Sequence, residues 1–325
     1  MINRRSKTFG GMLAFVCILL LTGCLRGELR TETVIIPDEE EGNDAGHVNE
    51  PFDVKSIYRL PVADDTKADM FGWSGKDVIR LYWEADGVQG VERYAAPFDS
   101  PGSAMKIDQG VYLSGLSPDG GKAFGMTKSN GGFSLATITL ADMRMKIVNS
   151  VHSTERRSFA GPISWSNNSR YISYFVQERN GTAIAVYDTA TDTEKNYLMK
   201  EPEGNAYSIS VKLSDDGKSA LIVTKQDGMI AIRLGKWNAG QFEAEYEHSL
   251  GLNLQVDWID NDRVAFVGTD GTLFTYDRRN ARLAVLNEKV AGFQLSPDRQ
   301  YLAFSTDDDA IRVAKLQGNN LLNEK

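Results

Sequence analysis

One phrase recurs six times along this chain of 325 residues, and that recurrence limits the fold more than any other feature. An apolar anchor is followed, usually, by a serine, then by a turn rich in Asp, Asn, Gly or Lys, then by an apolar run. The copies are Trp73-Ser74-Gly75-Lys76-Asp77, Leu116-Ser117-Pro118-Asp119-Gly120, Trp165-Ser166-Asn167-Asn168-Ser169 and Leu213-Ser214-Asp215-Asp216-Gly217, then Trp258-Ile259-Asp260-Asn261-Asp262 and Leu295-Ser296-Pro297-Asp298-Arg299. Successive anchors lie 43, 49, 48, 45 and 37 residues apart. A period of this size is that of a four-stranded unit that cannot bury its apolar faces alone and stacks on its neighbours.

A second marker follows most anchors, a tight-turn pair: Asp86-Gly87, Asn130-Gly131, Asn180-Gly181, Asp227-Gly228 and Asp270-Gly271. Both central residues of a type I′ hairpin need positive φ, and Asn-Gly and Asp-Gly supply it. The runs beside these pairs, such as 172–176 with 182–187, 263–267 with 272–276, and 301–305 with 311–314, are rich in β-branched and aromatic residues. No stretch of 52–325 carries a long, capped helical period. The expectation is an all-β, six-bladed β-propeller over residues 52–325, a seven-bladed ring being the alternative. The Trp and Leu anchors alternate along the chain, as side chains wedged between blades would. The segment 54–60 is a spare strand expected to complete the last blade and close the ring, because the terminal run from Leu321 to Lys325 is weak.

The N-terminus has a different character. Arg4, Arg5 and Lys7 precede an apolar run of ten residues from Met12 to Leu21, with no carboxylate before Glu28. This is the pattern of a signal peptide, and the run is shorter than the roughly 20 residues a spanning helix needs. It ends in Leu21-Thr22-Gly23-Cys24, which resembles the bacterial lipobox. The resemblance implies cleavage between Gly23 and Cys24, so that 1–23 is removed, and diacylglyceryl on the Cys24 thiol. The chain would then sit on the extracytoplasmic face of the cell membrane, held there by lipid. Cys17, the other cysteine, lies inside the apolar run, so the mature chain has no pair for a disulfide. Residues 24–51, with Pro37-Asp38-Glu39-Glu40-Glu41 and few large apolar side chains, read as a lipidated N-terminus and flexible acidic tether. Removing 1–23 takes away three cations and no carboxylate, moving the net charge from −8 to −11. Nucleic acid is a poor partner for such a surface.

The Ser-Pro-Asp-Gly of 117–120, the Ser-Pro-Asp of 296–298 and the Trp-Ser and Leu-Ser anchors resemble the repeats of TolB-like propellers. Lipobox, acidic tether and six degenerate repeats together resemble YqgU-like lipoprotein propellers. The resemblance implies the fold and no particular chemistry.

Catalytic motifs are sparse. His47, His152 and His248 stand at no metal-ligand spacing and read as surface residues. Gly72-Trp73-Ser74-Gly75 is one residue short of a nucleophile elbow. Neither a Walker loop nor a Cys/His cluster is present. Carboxylate pairs such as Asp215-Asp216 and Glu84-Asp86 lie at turns, where Asp is favoured for backbone reasons, and Asp307-Asp308-Asp309 reads as a solvated turn rather than a Ca²⁺ loop. The sequence therefore points to no catalytic residue, cofactor or metal, and to a membrane-tethered module that binds a protein or cell-envelope partner. The competing reading is an extracytoplasmic enzyme, glycan- or ester-acting, that uses carboxylates facing the propeller channel; convergence of carboxylates from three blades at one mouth would favour it.

Overall fold

The computed structural model describes residues 33–35 and 67–322, apart from 74–76, 86–87, 97–100, 109, 130–131, 153–157, 179–180, 200–205 and 307–309. Every regular element among them is a β-strand. The β-branched and aromatic runs pair into six consecutive antiparallel four-stranded meanders. The first comprises Lys67–Trp73, Val78–Ala85, Val88–Ala95 and Pro101–Ile107. The second comprises Val111–Leu116, Lys122–Ser129, Gly132–Thr139 and Arg144–His152. The third runs through Ser158–Trp165, Tyr171–Glu178, Gly181–Asp188 and Thr193–Leu198, and the fourth through Ala206–Leu213, Ser219–Gln226, Met229–Asn238 and Gln241–Ser249. The fifth is Val256–Trp258, Arg263–Val267, Leu273–Asp277 and Arg282–Asn287; the sixth is Val290–Leu295, Tyr301–Thr306, Ile311–Gln317 and Asn320–Leu322.

Burial changes across each meander in the way stacked sheets require. In the third, Ile172 through Val176 and Ala183 through Tyr187 are buried on both faces of the two central strands. The fourth strand, Thr193–Leu198, is largely exposed. Central strands are thus covered on both sides, which explains their nearly continuous apolar sequence. What covers them is the next meander. Of five apolar clusters, one joins Val91 and Ile107 to Ala123 and Ile138, and the next joins Phe124 and Leu135 to Trp165 and Tyr174. The third joins Phe175 and Ile184 to Leu213 and Ile222, the fourth Leu221 and Ile232 to Trp258 and Phe266, and the fifth Val267 and Leu273 to Leu302 and Phe304. Each cluster lies between meanders adjacent in sequence, so the core is distributed over the sheet-to-sheet contacts. Trp165 and Trp258, 5% and 1% exposed, and Leu213 at 1% are wedges in these contacts, as their alternation suggested. Trp258 also donates its Nε1 proton to the Lys212 carbonyl of the meander before it, at 3.1 Å. Full burial of such a ring makes truncation to alanine a loss of about 3–5 kcal/mol.

Several expectations need correction. The two-residue turn Asp227-Gly228 has φ of 51° and 88°, as a type I′ hairpin requires. In the third meander, however, Gly181 pairs with Glu178 and opens the strand, so it is not a central turn residue. In the fifth, Val267 pairs with Leu273, and Asp270-Gly271 lies in a longer loop where the Asp270 carboxylate accepts from the Thr272 amide. The third and fourth meanders are not separate sheets: Leu198 pairs in parallel with Gln241 at their outer edges, giving one eight-stranded sheet.

Chain ends also differ in detail. The short strand Asn320–Leu322 pairs with Ile311–Gln317 as the outer strand of the sixth meander, through Lys315 with Leu322. Residues 54–60, expected to close the ring, lie outside the described residues. Within the segment read as tether, Thr33–Ile35 is a strand parallel to Arg282–Asn287, with Val34 opposite Leu283. All three of its residues, Thr33, Val34 and Ile35, are β-branched, which suits a strand. The rest of 24–51 lies outside the described residues.

One irregularity repeats. The first and second strands slip register between Met70 and Gly72, Leu113 and Gly115, Ala160 and Ser164, Ser208 and Ser210, and Val290 and Gly292. A bulge of this kind bends the strand and raises its twist. It precedes the anchor in the first, second, third, fourth and sixth meanders and is missing from the fifth, where Val256–Trp258 pairs in regular register with Arg263–Val267.

Candidate functional site

The recurring serine is explained by the turn after the anchor. Ser117, Ser166 and Ser214 are fully buried, at 0% exposure. Ser214 Oγ lies 2.7 Å from Asp216 Oδ1, to which it donates, and accepts from the Ser219 amide at 3.1 Å. The Ser214 amide donates to the Ser219 carbonyl, and the Gly217 amide to the Ser214 carbonyl. Ser117 with Asp119 and Lys122, Ser166 with Asn168 and Tyr171, and Ser296 with Asp298 and Tyr301 repeat the arrangement. The hydroxyl thus closes a five-residue turn whose fourth residue has positive φ: Gly120, Ser169, Gly217 and Arg299 at 66°, 63°, 69° and 58°. The fifth copy, with Ile259 in place of serine, shortens the turn and uses the Asp260 carboxylate to accept from the Asp262 and Arg263 amides.

These turns are then tied to one another. Arg80 Nε donates to the Gly120 carbonyl at 2.9 Å, and the Asp119 amide to Ser169 Oγ at 2.9 Å. The Asn168 amide donates to Asp215 Oδ1 at 2.7 Å, and the Asp216 amide to Asn261 Oδ1 at 3.1 Å. Arg299 Nη1 donates to the Ile259 carbonyl at 3.2 Å. All five contacts between successive meanders are therefore bridged at one face. Two links skip a meander: Asn167 Nδ2 donates to the Trp258 carbonyl at 3.1 Å, and Arg299 Nη2 pairs with Asp215 Oδ2 at 2.6 Å. Such links place the third, fourth, fifth and sixth turns around a common centre.

At this centre is a cavity of about 500 Å³, lined among others by Pro118, Asn167, Asp257, Gln294, Arg299 and Tyr301. Its lining carboxylate, Asp257, is matched by a cation, as is Asp215, the partner of the lining residue Arg299. Lys212 Nζ stands 2.6 Å from Asp257 Oδ1, with the side chains 27% and 29% exposed, and Arg299 and Asp215 are 17% and 23% exposed. Half-buried pairs of this kind hold geometry; removing one partner leaves the other charge uncompensated. Arg299 is also a non-glycine residue in the left-handed region, a conformation that costs about 1–2 kcal/mol, and its side chain is thereby aimed into the centre.

The sequence-derived candidates fare unevenly. Asp215 and Asp216 both belong to this face, but the Asp216 carboxylate closes its own turn, whereas the Asp215 carboxylate reaches across to Arg299. Glu84 is described on the second strand of the first meander, away from the turns, whereas Asp86 and 307–309 lie outside the described residues, as do Gly23, Cys24 and His47. His248 is not a free surface residue: its ring lies 4.9 Å from Phe266 and 5.3 Å from Phe274, and its Nδ1 is 3.0 Å from Tyr246 Oη. Among the described residues no three of His, Cys, Asp and Glu come together as a metal site. Sequence reasoning missed Lys212, Asp257, Gln294 and Arg299. A positional signal existed for three of them, since Lys212, Asp257 and Gln294 each directly precede an anchor.

No family model matches the chain, and no curated protein does. Solved structures with similar chain traces include TolB from Acinetobacter baumannii, 12% identical, with 76% of this chain covered and a TM-score of 0.44. This chain spans 66% of that protein's length. Others are an oligogalacturonate lyase in complex with manganese, 11% identical over 78% of this chain and 91% of that one with a TM-score of 0.41, and a chain of the mitotic checkpoint complex, 15% identical over 90% and 88% with a TM-score of 0.49.

Proposed function

We propose that the six meanders are the blades of a six-bladed β-propeller, carried on an acylated Cys24 at the extracytoplasmic face of the cell membrane, and that the propeller binds a protein or cell-envelope partner through the face built by the repeat turns. The observation that carries the reading is the cross-linking of those turns. The five described turns, which would otherwise move separately, are held to one another by backbone and side-chain bonds, and Arg80 ties the first meander to the second turn. Binding to such a rigid surface loses little conformational freedom, and rigid scaffolds that present loops are where recognition residues gather. The carboxylates at the centre support binding over hydrolysis, because Asp215 and Asp257 are engaged by Arg299 and Lys212. An acid–base pair for glycoside cleavage needs two carboxyl groups poised in different protonation states.

The test is capture from a membrane extract on the immobilised full chain, compared with Arg299→Gly, which suits the positive φ and removes the guanidinium, and with Gln294→Ala. A partner held by the parent chain and released by these variants, with thermal unfolding still cooperative, supports the reading. Turnover of a sugar, ester or peptide that vanishes in Asp215→Asn or Asp257→Asn overturns it.

A further inference from the structure

A second concavity lies on the same end of the molecule but away from the centre, between the fourth and fifth meanders. It has a volume of about 770 Å³. Its floor is aromatic. Trp237 stacks on Tyr197 with ring centres 4.1 Å apart and planes 13° from parallel, and is fixed by an Nε1 hydrogen bond to the Gly217 carbonyl at 2.9 Å. Tyr276, also lining the groove, is stacked on Tyr246 at 3.7 Å. None of these rings belongs to the cavity at the centre.

The polar groups of the groove are matched in charge. Glu245 sits between Lys236 at 2.7 Å and Arg278 at 2.5 Å, and Arg278 also donates to Ser219 Oγ. Burial works to raise the Glu245 pKa, but the two cations more than offset it and hold the carboxyl below its ordinary range. Arg279 is paired with Asp277 at 2.5 Å, and Lys218 lies 3.8 Å from Asp216. Asp262 adds one more carboxylate to the lining. A site for a polyanion carries a clear excess of cations, and a site for a cation a clear excess of carboxylates; this groove sets Lys218, Lys236, Arg278 and Arg279 against Asp216, Glu245 and Asp262, with Asp277 behind Arg279. It offers fixed donors and acceptors in nearly equal number around the partly buried rings of Tyr197 and Trp237, with Tyr276 buried at 4% exposure. A polyhydroxylated ring meets both demands, because each hydroxyl donates and accepts and the ring's C–H face is apolar enough to lie on an indole or phenol.

We infer that the groove between the fourth and fifth meanders binds an uncharged saccharide, with Trp237 as its platform and Asp262, Arg278 and Arg279 as hydroxyl partners. The site is independent of the one at the turn centre, so either can fail alone. Its volume of about 770 Å³ is that of a small-ligand site.

The experiment is calorimetric titration of the full chain, in a detergent without a sugar head group, with cellotetraose and chitotetraose, and with trigalacturonate as the anionic comparison. Saturable binding of a neutral tetrasaccharide, unchanged on raising the salt to about 0.5 M, is expected. Trp237→Ala is expected to weaken it about tenfold or more. Asp262→Ala, which removes a carboxylate that makes no side-chain hydrogen bond among the described residues and acts on Arg279 only through its charge, is expected to weaken it about 3–10-fold while leaving the melting temperature in place. Absence of binding by both neutral sugars, binding confined to trigalacturonate and lost in salt, or equal binding by parent and both variants overturns the inference.

Discussion

Replacing Ser214 by alanine tests the physical account of the repeat at its most buried point. The hydroxyl lies at 0% exposure, donates toward Asp216 and accepts from the Ser219 amide. Alanine fills almost the same space, so no cavity of consequence opens; what remains is a buried Ser219 amide whose side-chain acceptor has gone, while the exposed Asp216 carboxylate keeps the Lys218 amide as a donor. A buried donor or acceptor left unmet costs about 1–3 kcal/mol. Taking about 2 kcal/mol, and about 2–4 °C per kcal/mol for a body of this size, Ser214→Ala should lower Tm by about 4–8 °C in a reversible thermal melt. Ser117→Ala and Ser166→Ala, equally buried, should fall in the same range. Ser296→Ala should cost less, because Ser296 is only partly buried and water can replace its hydroxyl. A Ser214→Ala melt within about 1 °C of the parent, or a loss for Ser296→Ala as large as for Ser214→Ala, would refute the reasoning.

Three further outcomes are expected. Gly228→Ala places a methyl where nothing lies within 4 Å but where φ is +88°, so it should lose about 1 kcal/mol from backbone strain alone, read as a small drop in the denaturant midpoint with an unchanged m-value. In acid, the Arg170 side chain outweighs the opposing effect of burial and draws the Asp188 pKa down to about 2, and Arg279 lowers that of Asp277 in the same way. A depressed folded-state value means this stabilisation is complete above the unfolded carboxyl pKa near 4 and is lost as pH falls toward 2; urea midpoints should therefore drop over that window, and less steeply for Asp188→Asn. Cys24→Ala should abolish incorporation of a labelled fatty acid and release the chain from the membrane fraction, and equal labelling of parent and variant would end the lipoprotein reading.

What the chain disclosed about its fold, and what it withheld, follows from the range of the interactions involved. The anchors and turn residues are local signals: a wedge side chain, a buried serine and a residue with positive φ recur within five positions, so the six meanders could be counted from them. The hairpin at Asp227-Gly228 was legible for the same reason. Asp270-Gly271 misled because the same dipeptide also serves a longer loop closed by an Asp side chain. The bond between Leu198 and Gln241 that joins the third and fourth meanders has no local signature, since it depends on where two outer edges meet. Nor could Arg299 be singled out. A residue type that avoids positive φ stands where other copies have Gly120 and Gly217, but its partner Asp215 is 84 residues away and two meanders back. The cavity at the centre was legible only in outline, as the end of the molecule where the repeat turns gather.

The claim that this turn face is the working surface is tested most directly by photo-crosslinking in intact cells. A crosslinking residue is placed at Pro118 or Pro297, exposed on the turn face, and separately at Asp227 or Met229 on the opposite hairpin face. The account predicts discrete adducts from Pro118 and Pro297 and none from Asp227 and Met229. Adducts from the hairpin face with none from the turn face would contradict it.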